Sequence, residues 1–335
     1  GHEVDGRPIV PFDEDGMRQA ARDIAAQGIS SVGITSVFSP LTSEFEERAG
    51  EIMAEECPQV AVTLSHTLGR IGLLERENAT LLNACLRDLA HTTINAFTQA
   101  IAESGLKAQL YITQNDGTVM LADVAEAYPV FSFASGPTNS MRGAAYLSQR
   151  SDAIVVDVGG TTTDIGMLRA GFPREANNVV EVGGVRTLFR MPDLVSIALG
   201  GGTLVGRDPL TIGPLSTGFE LMERGLVFGG NELTCTDLAV ARGLLDLGDA
   251  GAVSDLPADL LDAAFADMHA TIEDSIDRMK TEAGAVTVIA VGGGAFLVPP
   301  EMGGVGEVVH VPHGDVANAV GAAIAQVSGE VDQIF

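Results

Sequence analysis

The chain has 335 residues, of which 46% are apolar. This length allows about two domains, and the apolar content excludes an intrinsically disordered chain. The formal net charge is −26, from 45 acidic and 19 basic residues, and such a field disfavours nucleic acid and anionic membranes as partners.

Lysine and cysteine usage bears on the environment of the protein. Only two lysines occur, Lys107 and Lys280, so the acidic excess is either a surface that favours solubility or an adaptation to high salt. The three cysteines, Cys57, Cys85 and Cys235, form no disulfide framework and no Cys-x-x-Cys zinc motif. This odd, sparse set of cysteines leads us to expect a reducing, cytoplasmic environment. No secretory leader and no apolar run of membrane-spanning length is visible.

The first part of the chain alternates between helical and extended patterns. Helices are predicted between residues 13 and 28, from 43 to 53 and from 73 to 104, and strands at residues 31–38, 60–64 and 110–113. Asp13 can cap the first helix and Gly28 can end it, whereas Ser43 and Glu46 have the spacing of a capping box for the second. Alternation of this kind predicts an α/β layered structure.

A second part begins near residue 151. Strands are predicted at residues 153–157, 165–168 and 286–291, a β-rich and glycine-rich stretch at 179–213, and helices at 236–247, 258–282 and 316–327. The apolar run at 153–157 ends in an acidic residue and is typical of a buried strand. Thr234 or Thr236 can cap the helix at 236–247.

The strongest chemical signal is a glycine- and threonine-rich loop that follows this buried strand. It consists of Asp157, Val158, Gly159, Gly160, Thr161, Thr162, Thr163 and Asp164. The glycines allow backbone N–H groups to converge on an anion, and the threonines add hydroxyl donors. The two carboxylates would repel bare phosphate, so they indicate a Mg²⁺ ion bound with it. The loop therefore favours phosphoryl handling over an ordinary hairpin turn.

Four segments in a fixed order resemble motifs of the ATPase superfamily that contains actin, the sugar kinases and the large heat-shock chaperones. They are residues 135–145 and 315–322, similar to its two connecting helices, residues 157–164, similar to its second phosphate loop, and residues 290–299, similar to its adenosine motif. The resemblance implies an α/β, actin-like (ribonuclease H-like) two-domain fold with an incomplete first domain. It also implies that small residues let the connecting helices cross closely.

The same resemblance assigns a role to individual residues. Asp157 and Asp164 would be the catalytic residues and would handle the metal ion. ATP would be held by Gly159, Gly160, Thr161, Thr162 and Thr163 on the phosphate side and by Gly292, Gly293, Gly294 and Phe296 around the adenosine. The implied cofactors are ATP and Mg²⁺.

The resemblance also divides the chain. Residues 1–148 would be the remainder of the first domain with its connecting helix, and residues 149–335 the second ATPase-type domain. No strand–Asp–x–Gly–x–Thr loop occurs before residue 135. The first phosphate loop is therefore expected upstream of Gly1, on a missing N-terminal segment or a partner chain, and this chain alone is expected to bind ATP weakly.

A narrower resemblance, to the ATP-fold subunit of the hydantoinase/oxoprolinase family, covers most of the chain. The matching stretches are residues 6–11, 65–66, 75–76, 80–84, 114–117, 135–137, 182–184, 199–203 and 233–237. The chain departs from the family between Thr203 and Leu233, where a glycine-rich acidic stretch is usual, and at residues 138–141, where small residues are usual.

The family resemblance implies ATP-dependent hydrolysis of a cyclic amide, in which the amide oxygen is phosphorylated before water attacks. It also implies a second large subunit as partner. Two alternatives stay open: a subunit that activates substrates of the acetone or acetophenone type for carboxylation, and a non-enzymatic nucleotide-dependent switch or assembly protein with the same fold.

Other residues have both a functional and a structural interpretation. Gly200, Gly201, Gly202 and Thr203 either line the substrate side of the site or form a bend at a strand end. Glu75 and Arg76 either contact substrate or form a structural ion pair. The pattern of His310 and His313 is weak support for a metal site, His66 is either a cleft residue or a structural histidine, and Cys235 lacks a neighbouring base for a catalytic thiol.

Overall fold

A computed structural model describes residues 1–176, 180–188 and 190–329. By their internal contacts the residues form two units. Unit 1 comprises Gly1–Phe133, Ala176–Met191 and Gln326–Phe335, and unit 2 comprises Ala134–Glu175 and Pro192–Ala325. Residues 135–148 lie in unit 2 of this division. The domain boundary that the sequence predicts after residue 148 stays a prediction.

The fold is mixed α/β. The helices are α1 (Glu14–Ala26), α2 (Glu44–Glu56), α3 (Leu73–Glu103), α4 (Ala122–Ala127), α5 (Ser135–Ser148), α6 (Leu221–Arg224), α7 (Cys235–Ala241), α8 (Ala258–Met279) and α9 (Ala317–Ile324). The strands are β1 (Ser31–Ile34), β2 (Ala61–Leu64), β3 (Tyr111–Thr113), β4 (Val119–Leu121), β5 (Ala153–Val158), β6 (Thr163–Arg169), β7 (Phe172–Pro173), β8 (Val180–Val182), β9 (Val185–Thr187), β10 (Leu194–Ile197), β11 (Thr203–Arg207), β12 (Leu210–Ser216), β13 (Val286–Val291) and β14 (Val305–His310). Within the described ranges, no helix combines the length and the apolar character needed to cross a bilayer.

The main sheet belongs to unit 2 and has the strand order β10–β6–β5–β13–β14, with β7 paired to β6. β13 runs parallel to β5 and β14, whereas β5, β6 and β10 pair antiparallel. Side chains alternate along β5: Ile154 and Val156 pack into the core that includes α8, and Val155 packs into the core that includes α5. Helices therefore cover both faces, which explains the continuous apolar pattern of the strand.

Helices α5 and α9 of unit 2 cross at very short range. A Cβ atom on Gly143 would overlap the backbone of Ala317, and one on Gly321 would overlap the backbone of Asn139. The Asn318 side chain donates a hydrogen bond to a carbonyl of α5, at 2.9 Å. The close crossing predicted from the small residues is confirmed, because only glycine fits at both positions.

Among its described residues, unit 1 holds the long helix α3 and three small sheets, of which β1 and β2 form a parallel pair. The predicted cap of α1 is confirmed, since the Asp13 side chain accepts a hydrogen bond from the Gly16 N–H at 2.9 Å. The predicted capping box of α2 is wrong. Ser43 makes no cap bond with its side chain, and Glu46 is fully buried, with its carboxylate directed at other donors.

The predicted elements of the second part are present with shifted ends. The cap of α7 is a capping box between Thr234 and Asp237, which confirms Thr234 rather than Thr236 as the cap. The helix itself is shorter than predicted and ends at Ala241. Val179, the first residue of the predicted β-rich stretch, and residues 330–335 of the predicted second domain lie outside the described residues.

Candidate functional site

Three glycine-rich segments of unit 2 meet at one edge of the main sheet. Residues 159–160 follow β5 and residues 292–294 follow β13, and because these strands are parallel their carboxyl ends share an edge. Residues 200–202 join them from the chain between β10 and β11. The sequence separates these segments by up to about 130 residues of chain, yet sheet topology places them side by side.

Backbone hydrogen bonds tie residues 200–202 to the loop after β5. Gly201 N donates to Gly159 O at 3.0 Å and Gly202 N donates to Gly160 O at 2.7 Å. A Cβ atom on Gly200 would lie 2.7 Å from backbone atoms of Gly159, Gly160 and Thr161. Gly200 is thus required for backbone to pack on backbone. A Cβ atom on Gly201 would instead meet the Thr236 hydroxyl at 3.0 Å, and one on Gly202 would meet the Thr217 hydroxyl at 2.6 Å and Gly160 O at 3.0 Å.

Residues 292–294 pack on the opposite flank of the same loop. Gly294 N donates to Val158 O at 2.8 Å. Gly292 has a φ of +89°, and a Cβ atom there would lie 2.5 Å from Oδ1 of Asp157. By contrast, a Cβ atom on Gly160 or Gly293 would meet no atom within 4 Å, so these two glycines border open space.

The carboxyl groups of Asp157 and Asp164 face each other across the β5–β6 pair. The two residues are direct partners in the antiparallel register, and Ser196 is the partner of Asp164 on β10. The Ser196 hydroxyl donates to Asp164, and the Ser140 hydroxyl of α5 bonds Asp157. Alternation along β5 directs Asp157 towards α5, which explains the contact with Ser140.

The pKa of each of these two carboxyl groups lies above its ordinary value. Burial raises the pKa of Asp157, the hydrogen bond from Ser140 opposes this, and the neighbouring charge of Asp164 raises it further. Burial likewise raises the pKa of Asp164, against the hydrogen bond from Ser196. Two partly buried acids that resist ionisation are stabilised by a cation, and this is the donor chemistry that Mg²⁺ prefers.

The threonines of the loop differ in their surroundings. Thr161 and Thr162 are exposed beside the open glycine face. Thr163 is buried, and its hydroxyl donates to Leu199 O at 2.7 Å. Thr203 is also buried, and its hydroxyl oxygen accepts from Gly200 N at 2.8 Å. The exposed pair faces solvent where a phosphate group can reach it, whereas Thr163 and Thr203 hold the two loops in shape.

Phe296 lies at the edge of this site and is half-buried. A Cβ atom on Gly201 would be 3.8 Å from the tip of its ring, so the ring borders residues 200–202. Thr236 approaches from α7, where its hydroxyl donates to Gly201 O at 2.9 Å. The sequence favours a helix cap for Thr236 and leaves a substrate role as the lesser alternative. Ser140 and Ser196 are site residues that the sequence does not reveal.

Glu75 and Arg76 lie on α3 in unit 1, whereas the three glycine-rich segments belong to unit 2. Arg76 is 1% exposed, and its Nη2 donates to Ser36 O at 2.6 Å while its Nε donates to Ser65 Oγ at 2.9 Å. Burial lowers the pKa of Arg76, and the charge of Glu46 opposes this shift. The guanidinium group holds three segments of unit 1 together.

Other candidate residues have structural surroundings. Asp193 pairs with Arg174 at 2.6 Å within unit 2. Burial, followed by the charge of Asp237, raises the pKa of Cys235 to about 12, which disfavours a thiolate nucleophile. Over the described ranges, no three His, Cys, Asp or Glu side chains converge as a metal site would require, at His310 and His313 or elsewhere.

The residues present fit a magnesium–nucleotide complex. Two carboxyls are too few for an all-protein metal cage, but Mg²⁺ keeps several waters and shares its coordination with substrate phosphates. The open faces of Gly160 and Gly293 leave room for a ligand against backbone. Asp157 and Asp164 would hold the ion, and the N–H groups and hydroxyls of the loop would meet the phosphates.

Comparison with protein families gives two matches. The family model described as Hydantoinase/oxoprolinase matches residues 76–249, and the model described as Hydantoinase/oxoprolinase N-terminal region matches residues 1–57. The first model alone spans more than half of the chain.

Individual relatives are similar over most of this chain but are longer. The acetophenone carboxylase gamma subunit of Aromatoleum aromaticum is 25% identical over 254 residues, which are 72% of this chain and 34% of that protein. Caprolactamase subunit alpha of Pseudomonas jessenii is 26% identical over 251 residues, 72% of this chain and 36% of that protein. The chain spans less than half the length of the curated relatives it matches.

Two solved structures share the fold. A nucleotide-free structure of acetone carboxylase aligns with a TM-score of 0.72 and 22% identity, and covers 97% of this chain and 51% of that one. A crystal structure of ATP-dependent caprolactamase from P. jessenii aligns with a TM-score of 0.72 and 23% identity, and covers 88% of this chain and 47% of that one.

Proposed function

Because the chain belongs to the hydantoinase/oxoprolinase family, we propose that it is the nucleotide-handling part of an ATP-dependent enzyme that opens cyclic amides. The observation that carries the proposal is the meeting of three glycine segments around the paired carboxyls of Asp157 and Asp164. The names of relatives support ATP dependence, since caprolactamase and acetone carboxylase are both described as ATP-dependent.

The proposal includes an actin-like, two-domain organisation. Its support is the order of the motifs: a connecting helix at α5, the phosphate loop between β5 and β6, the glycine segment after β13 and a second connecting helix at α9. The close crossing of α5 and α9 adds to this support, because both helices were proposed as the connecting pair.

Each part of the site has a distinct task in the proposed reaction. Asp157 and Asp164 would hold Mg²⁺, and the backbone N–H groups around Gly160 would receive the phosphate oxygens. Phe296 and residues 292–294 would border the adenosine. When bound, ATP would supply the phosphoryl group for the amide oxygen and leave as ADP, and attack by water at the amide carbon would then release phosphate with the opened ring. The protein contributes positioning and neutralisation of charge.

A second candidate is activation of a ketone for carboxylation. The likeness to acetophenone carboxylase gamma subunit and to acetone carboxylase favours it. Both candidates use the same nucleotide site and differ in the organic substrate. Relatives that are named as subunits also support a second large subunit as partner.

Substrate-dependent ATP hydrolysis tests the proposal. The full-length protein with its partner subunit should hydrolyse ATP faster when a lactam or hydantoin is added, and should release the ring-opened acid in step with ADP. Acetone and acetophenone with bicarbonate serve as the comparison. Stimulation by ketone alone would replace the hydrolase with the carboxylase, and no stimulation by either class would favour a nucleotide-dependent switch.

A further inference from the structure

Unit 1 contains a cavity of about 550 Å³, a volume within the usual range for small-molecule sites. Apolar and polar residues contribute about equally to its wall. The apolar residues include Met120, Phe131 and Leu188, and the polar residues are His66, Thr67, Arg70, Gln114, Asn115, Asp116, Arg190 and Ser328. A cavity that combines apolar and polar groups suits a small ring compound that carries one polar edge.

The His66 ring is held in one orientation by a carboxylate. Nδ1 of His66 lies 2.9 Å from Oε2 of Glu46, and the backbone N–H of His66 donates to the same oxygen at 2.9 Å. A carboxylate oxygen can only accept, so Nδ1 carries the hydrogen. In the neutral ring the lone pair is then on Nε2, which lies 3.8 Å from Oε1 of Glu47, beyond hydrogen-bond range.

Glu46 is itself fixed by an extensive network. Its side chain is fully buried, and it accepts from Ser36 N at 2.8 Å and from Ser65 Oγ at 2.5 Å. Burial raises the pKa of Glu46, but the hydrogen bonds from His66, Ser39 and Ser65 outweigh burial and bring it to about 2. The carboxylate is therefore ionised throughout the physiological range.

His91, on the surface of the same unit, also contacts a carboxylate and serves as a comparison for His66. His91 Nδ1 lies 2.8 Å from Oε1 of Glu126, but the His91 side chain is 63% exposed and the Glu126 side chain 32%. The Glu46 side chain is 0% exposed. Burying a carboxylate is costly unless several donors satisfy it. The donors around Glu46 therefore fix the carboxylate that in turn orients the His66 ring.

We propose that this cavity binds the cyclic amide and that Nε2 of His66 accepts a hydrogen bond from the amide N–H. The inference rests on the proposed function for the identity of the ligand. Glu46 is a positioning residue, since it acts through the His66 ring. The apolar side chains of the wall would receive the ring methylenes, and the fixed lone pair would select compounds with an N–H next to the carbonyl.

Two ligands of the same ring size distinguish a hydrogen bond to His66 Nε2 from general apolar binding in the cavity. 2-Pyrrolidone has an N–H beside its carbonyl, and cyclopentanone has a methylene in the same place. Calorimetric titration of the full-length protein, without nucleotide, should give binding about threefold to tenfold tighter for the lactam, the difference that one hydrogen bond makes. The 15N resonance of His66 Nε2 should shift with the lactam and not with the ketone.

Two substitutions of His66 distinguish the roles of its two ring nitrogens. In His66→Asn the side-chain amide can still donate to Glu46 but nothing replaces Nε2, so the preference for the lactam should disappear. His66→Gln places an amide near the position of Nε2 and should retain part of the preference. His91→Asn is the matched control and should bind both ligands as the wild type does, and thermal melting checks that each variant is folded.

The outcomes distinguish this inference from the proposed function. If 2-pyrrolidone or hydantoin stimulates ATP hydrolysis while His66 Nε2 does not shift on titration, the cavity inference is overturned and the proposed function stands. If His66 shifts and the lactam preference depends on it without any effect on ATP hydrolysis, the cavity is a binding site and the proposed function fails. Equal binding of lactam and ketone to the wild type also overturns the inference.

Discussion

At the residue scale the central feature is a pair of carboxyl groups, Asp157 and Asp164, held opposite each other on neighbouring strands. The sequence identified both because an acidic residue at the end of an apolar strand is conspicuous. It did not identify Ser140 and Ser196, which bond these carboxyls. Those serines lie on other elements, and nothing in their local sequence distinguishes them from ordinary polar positions.

The raised pKa of Asp157 leads to a prediction about stability. Since its folded-state pKa lies above the unfolded value of about 3.9, ionisation of this carboxyl destabilises the fold progressively as pH rises above about 4. Asp157→Asn should therefore melt at a higher temperature than the wild type at neutral pH without Mg²⁺, and the gap should shrink as pH falls towards 4. Thermal melting across this pH range measures the effect.

Two controls accompany the prediction about Asp157: the effect of Mg²⁺ on the melting temperature, and a matched variant at another aspartate. MgCl2 should raise the melting temperature of the wild type more than NaCl of equal ionic strength, and should do so less in Asp157→Asn. Asp152→Asn, an exposed site just before β5, should leave the Mg²⁺ effect intact. If the difference in melting temperature between Asp157→Asn and the wild type does not change with pH, burial does not destabilise the ionised Asp157 carboxyl.

At the element scale the site is built by three loops that pack backbone against backbone. The sequence left residues 200–203 either as lining of the substrate or phosphate side of the site or as a bend at a strand end. It did not predict their contact with the loop after β5, because the sheet topology could be inferred only in outline. Long periodic elements such as α3 and α8 were predicted with ends within a few residues of those observed. Short β4 and α4 were missed, because three to six residues carry too little periodicity.

The capping box predicted for α2 failed for a physical reason. Its spacing in sequence is correct, but Ser36, Ser65 and His66 supply donors that compete for the Glu46 carboxylate. Those donors come from residues distant in sequence, and a local pattern cannot include them. A tertiary network outweighed a local motif that stabilises a helix by about 1 kcal/mol.

Gly200→Ala tests whether the packing of these loops shapes the site. The new methyl group would lie 2.7 Å from three backbone atoms of the phosphate loop, so the loop must shift, at a cost of about 1–3 kcal/mol in the free energy of unfolding. Denaturant unfolding and Mg-ATP titration should show lower stability and weaker nucleotide binding. Gly284→Ala, where no atom lies within 4 Å, is the control, and unchanged nucleotide affinity in Gly200→Ala would contradict the account.

At the scale of the whole molecule, the most informative feature of the sequence was the order of its motifs. Each motif alone is moderately specific, but the order of α5, the loop between β5 and β6, the glycine segment after β13 and α9 resembles the order in the actin-like ATPase superfamily. The family match confirms the narrower resemblance. The cavity proposed for the organic substrate is less accessible to sequence, because it is lined by residues between 66 and 328 that only folding brings together.

The most direct test of the central claim is steady-state ATP hydrolysis by the full-length protein with Asp157→Asn beside Asp152→Asn. If the β5–β6 loop handles magnesium and phosphate, loss of one metal-handling carboxyl should reduce turnover by about 100-fold or more while Asp152→Asn keeps wild-type turnover. Both variants should melt cooperatively, which excludes misfolding as the cause. Wild-type turnover in a folded Asp157→Asn protein would show that the nucleotide site lies elsewhere.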